Sequence, residues 1–166
     1  MKLSITALST VLSGLSLLSL NTFAQAAPSQ SYTMDLKLAN QLVNQVMQTC
    51  TTQAKPAAVI VLDQGGNVIS SQRHESIGIH NLIAAERKAF TAYSTKTSSL
   101  NFMRNAQKDP DSHNLNSLPE LLLLGGGVPV MYKNQLLGAV GVAGAGGSVQ
   151  DDRCAQDGIQ KVLKTL

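Results

Sequence analysis

Ala84-Ala85-Glu86-Arg87-Lys88-Ala89-Phe90-Thr91-Ala92-Tyr93-Ser94 and the glycine-framed run Leu121-Leu122-Leu123-Leu124-Gly125-Gly126-Gly127-Val128-Pro129-Val130-Met131 decide how this chain folds. In the first, Leu82, Ala85, Ala89, Ala92 and Tyr93 follow helical spacing from about residue 81 to 94. Its alanines leave a face small enough to lie close against a sheet. In the second, three side-chain-free residues stand where backbone must bend or touch a neighbour or a ligand. Residues 121–124, 128–132 and 135–142 read as a meander of strands, with Lys133-Asn134 as a tight turn.

Working outward, Leu38, Ala39, Leu42, Val43, Val46, Met47 and Cys50 mark an amphipathic helix over residues 33–52, which Pro56 prevents from continuing. Residues 57–62 are an uninterrupted apolar run, so that strand is expected at the centre of a sheet. A glycine turn at Gly65-Gly66 joins it to a second strand near residues 68–71. A short helix is expected over residues 99–106. Residues 108–119, rich in turn formers, read as a long exposed connection and a candidate functional loop. Ser148 reads as the cap of a last helix over residues 149–163, with Asp151 in capping-box position and Asp152 favouring the helix start. Helix, hairpin, helix pair, three strands and helix give an α+β domain around an antiparallel sheet of about five strands.

Residues 1–26 read as an export signal: Lys2, an apolar run from Ile5 to Leu20, then small residues at Ala24-Gln25-Ala26. The alternative is a membrane anchor, against which stand the short apolar stretch and its serines. About 140 residues remain, enough for one domain and its core. Without Lys2 the thirteen Lys and Arg become twelve, against ten Asp and Glu. With no basic block and few aromatic rings, nucleic acid is not an expected partner. Cys50 and Cys154 lie in the exported part, on the apolar stripes of the first and last helices, and are either a disulfide or two buried thiols.

No Walker motif, nucleophile elbow, paired Cys-x-x-Cys or His-Glu-x-x-His is present. Gly138-Ala139-Val140-Gly141 superficially follows a dinucleotide pattern but lies in a meander rather than a βαβ unit. Three histidines, His74, His80 and His113, carry imidazole, the commonest protein ligand for a transition-metal ion. A helix start can aim His80 into a cleft; its alternative role is to cap its own backbone. Arg73, Arg87 and Lys88 suit acidic groups through charge-assisted hydrogen bonds. Arg87 and Lys88, being adjacent, point to different parts of the helix surface, so at most one faces a given ligand. Tyr93 and Met103 suit either an apolar slot or the core.

The two opening segments, followed by Leu137-Gly138-Ala139-Val140-Gly141-Val142-Ala143-Gly144, resemble the GlcG/HbpS family of secreted and periplasmic haem-binding proteins. The likeness runs from Cys50 to the final helix. It implies a profilin-like sandwich, symmetric homo-oligomers, haem as cofactor and a Cys50–Cys154 disulfide between the ends of the domain. It also implies His80 as iron ligand, or Thr97 from an element near haem where Lys96 stands in place of the usual proline, with basic support from Arg73 or Lys88. An acidic pair linked to iron binding in similar proteins is reduced to Glu86, because Ile83 occupies the other position. An exported haem-binding protein serving sequestration, sensing or degradation is therefore expected. The alternatives are a small-molecule enzyme or accessory protein of the glycolate- or corrinoid-associated branch, with His80 and Glu86 as its only ionisable nominees, and a non-catalytic module acting on a membrane sensor through residues 109–119.

Overall fold

Ala58–Leu62 (β1) is buried at every position, as an apolar strand with neighbours on both edges must be. In the computed structural model, which describes residues 30–166, it pairs antiparallel with Val68–Arg73 (β2) and Gln135–Ala143 (β4). Gly127–Tyr132 (β3) pairs with the other edge of β4, giving the order β2-β1-β4-β3. Lys133 and Asn134 take φ of 45° and 63°, the left-handed conformation of a two-residue hairpin turn. The expected signal segment lies outside the described residues; Ser31–Leu166 forms one compact unit.

The sheet has four strands rather than about five, because residues 121–124 pair with no strand. Their backbone is held by side chains of the neighbouring helices, His80–Thr95 (α2) and Ser99–Lys108 (α3). Thr91 Oγ accepts from Leu122 N at 2.9 Å, and Ser99 Oγ donates to Leu124 O at 2.7 Å. Residues 108–119, expected as an irregular connection, carry a 3-10 helix over Pro110–Ser117 with no buried residue.

Leu36–Gln53 (α1), capped by Asp35, and Ser148–Leu163 (α4) cover one face of the sheet. Val43, Val46, Val59, Val61, Val140 and Val142 are among the fully buried side chains of that core. Cys50 and Cys154 form a disulfide between these two helices, with Cα atoms 4.9 Å apart. Reduction should raise the mass by about 2 Da. Because the bridge spans 104 residues, reduction should also destabilise the fold by about 4–5 kcal/mol, read from urea denaturation with and without dithiothreitol. An unchanged mass would remove the staple.

On the opposite face, Ala85, Ala89 and Ala92 of α2 pack on Ala58, Ile60, Leu62, Ala139 and Ala143. The approach is this close because Gly127 and Gly141 are register partners under the helix. A Cβ on Gly127 would lie 1.8 Å from Lys88 O, and one on Gly141 1.9 Å from Ala85 O. Helix and sheet backbones therefore meet directly, which fixes α2 and turns its other side outward.

Candidate functional site

The outward side of α2 is not purely polar. Ile79 and Ile83 are 67% and 61% exposed, and Ile83, Glu86, Arg87 and Phe90 share one helix face through their three- and four-residue spacings. With Leu62, Gly66 and Glu120 they line an open cleft of about 390 Å³. Its walls are aliphatic and aromatic, with one guanidinium and two exposed carboxylates.

Arg87 and Lys88 diverge, as adjacent helical residues must. Lys88 is 4% exposed and its ammonium is engaged inside: Nζ donates to Asp151 Oδ2 at 2.8 Å and to Val142 O at 3.1 Å. Asp151 Oδ1 accepts from Ala145 N at 2.8 Å. The expected capping of α4 is therefore corrected: Asp151 serves the ion pair, and Ser148 is the first helical residue, its hydroxyl accepting from Gly125 N. Beside them, burial pushes the Asp152 carboxyl up from its ordinary range, while the hydrogen bond from Gln156 opposes this. Arg87 stays half-buried in the cleft. Its Nη2 donates to Leu121 O at 2.6 Å, and its Nε is buried with no partner.

His80 is exposed at the first position of α2, its Nε2 3.2 Å from Asn81 Nδ2. It lies one turn ahead of Ile83 on the helix and is not itself among the residues that line the cleft. Arg73, at the end of β2, donates to the carbonyls of His74, Glu75 and Ile77, so it braces the loop entering α2. His74 Nδ1 contacts Ser76 Oγ at 2.8 Å and Glu75 at 3.6 Å. Tyr93 donates to Gln64 O at 2.7 Å, its ring beside Gly66. Met103 and His113 line a separate cavity of about 70 Å³.

Thr97 lies past the far end of α2, after Lys96, whose φ of 55° ends the helix. Proline, fixed near −65°, could not take that conformation, so the lysine suits this helix end. A 16-residue helix is about 24 Å long, so His80 and Thr97 of one chain cannot hold the same iron. The structure thus brings His80, Ile83, Arg87 and Phe90 to one face and sets Thr97, Met103 and His113 elsewhere. Sequence reading left out Leu62, Phe90 and Glu120; the signal for Phe90 was its spacing from Ile83 and Glu86.

Among the described residues no group of three or more His, Cys, Asp and Glu could hold a metal ion, and no helix is long and apolar enough to cross a membrane. Residues 34–160 match the family described as haem degrading protein HbpS-like. A 15.0 kDa protein from the dhaT–dhaS intergenic region of Citrobacter freundii is 27% identical over 126 residues, 75% of this chain and 87% of that protein. The crystal structure of HbpS superposes with a TM-score of 0.72 at 28% identity, covering 82% of this chain and 98% of HbpS. Klebsiella pneumoniae ORFY gives 0.71 at 26% identity, covering 86% and 99%. The PduOC:haem complex, 21% identical with a TM-score of 0.67, shares the fold over 78% of this chain and 94% of that one.

Proposed function

The chain belongs to the HbpS-like family, and from that premise we propose that it is an exported protein that binds haem against the outer face of α2. The observation that carries this reading is the cleft. Ile83 and Phe90 offer an apolar wall beside Arg87, and no segment among the described residues covers Ile83, which stays 61% exposed. A flat macrocycle buries its faces on such a wall while its iron takes an imidazole at the rim. His80 is the iron ligand in this reading, since its ring is exposed and held only by a local contact with Asn81. Bound haem would supply a redox-active iron; the chain supplies the wall, the ligand nitrogen and the neighbouring charges. The Cys50–Cys154 disulfide supports a periplasmic or secreted location, where thiols stay oxidised.

Haemin titrated into the purified protein without residues 1–26 should give a saturable Soret change at micromolar concentration. His80→Ala should shift the band and weaken binding at least about tenfold, about 1.4 kcal/mol. An unchanged His80→Ala spectrum alongside a lost Thr97→Ala spectrum would move the ligand to the far end of α2. No Soret change in the parent protein would end the haem reading.

A further inference from the structure

We propose that Arg87 makes the α2 cleft selective for ligands that join a flat apolar body to a free carboxylate. The proposal deepens the haem reading, which suggests the first probes, but its test does not depend on haem. Of the three cations that the sequence offers to an acidic ligand, two are engaged. Lys88 is buried on Asp151, and Arg73 is turned onto three main-chain carbonyls. Only Arg87 lines the cleft.

Its surroundings prepare it for an acid. Leu121 O fixes one edge of the guanidinium through Nη2, and Leu121 is itself steadied by the bond between Leu122 N and Thr91 Oγ. One terminal nitrogen is thus held in place, and Nε is enclosed with no partner. A carboxylate in the cleft would meet the guanidinium from its cleft side and make charge-assisted bonds with its terminal nitrogens.

Glu86 and Glu120 also line the cleft, but neither forms an ion pair with Arg87 among the described residues. Both carboxylates are exposed, so solvent and salt screen them. Arg87, half-buried, acts on its immediate neighbour through a lower effective dielectric and wins at contact distance. Ile83 lies one turn before Arg87 and Phe90 one turn after it, so an apolar ring on that wall meets the guanidinium at its edge. His80 lies two turns before Arg87, about 10 Å along the helix axis. That span suits a macrocycle with its metal at one residue and an acid arm at the other.

Four probes test this by fluorescence or absorption titration: protoporphyrin IX, 1-pyrenebutyrate, and the methyl ester of each. The protein with its native Arg87 should prefer each free acid over its ester by about tenfold or more. Arg87→Gln should bind acid and ester alike, at the ester's affinity. Arg87→Lys, which keeps a donor for Leu121 O and a positive charge, should restore part of the preference. If Arg87→Gln does not fold, the acid–ester ratio of the native protein and the partial loss in Arg87→Lys decide. Equal binding of acid and ester by the native protein overturns the proposal, as does an undiminished ratio in the variants, or no binding of either acid. Selective binding of pyrenebutyrate with no binding of haemin or protoporphyrin would overturn the haem reading and leave the acid anchor standing.

Discussion

Gly141→Ala is expected to destabilise the protein by about 3 kcal/mol or more, and Gly141→Val to prevent soluble folding. The added Cβ would stand 1.9 Å from Ala85 O, 2.8 Å from Ala85 C and 2.9 Å from Ala89 Cβ. No side-chain rotation relieves contact with a carbonyl in the middle of a helix, so α2 would have to lift from β4. Lifting opens the alanine-lined core and displaces the cleft wall with it. Gly127→Ala should behave alike, since its Cβ meets Lys88 O at 1.8 Å. Urea denaturation followed by circular dichroism measures the effect. A Gly141→Ala midpoint equal to the parent's would mean that α2 does not rest on the sheet backbone.

The second large effect is expected at Lys88. Lys88→Met removes the cation facing a carboxylate that is itself 2% exposed, leaving Asp151 with only Ala145 N as a near partner. Breaking a buried pair from one side costs about 3–5 kcal/mol, because the remaining charge is uncompensated. Adding Asp151→Asn removes that charge and should return a large part of the loss. The double-mutant cycle therefore reads a coupling of about 2 kcal/mol or more. A loss below about 1 kcal/mol in Lys88→Met would show that water reaches the pair.

Local patterns carried much of the architecture. The stripe from Leu38 to Cys50, the unbroken run of β1 and the Lys133-Asn134 turn each depend on neighbours in sequence, and each forms as its pattern indicates. The α+β class followed from their order. The pairing of Cys50 with Cys154 required the family resemblance as well as two helical stripes.

What sequence did not show depends on distant partners. Residues 121–124 have the composition of a strand, yet Thr91, Ser99 and Arg87 hold their backbone instead. Asp151 has the spacing of a cap, yet a lysine 63 residues away claims it. Ile83 looked like a missing carboxylate and proves to be a wall of the cleft. No periodicity in the chain encodes any of these pairings.

The Cys50–Cys154 bond also has a topological consequence. Among the described residues it closes a covalent ring containing every strand, α2, α3 and the whole cleft, and leaves residues 30–49 and 155–166 as tails. A protease that nicks the exposed 3-10 segment cuts the ring once. The two fragments stay tethered, and the cleft keeps all its walls in a single molecule until a reductant arrives.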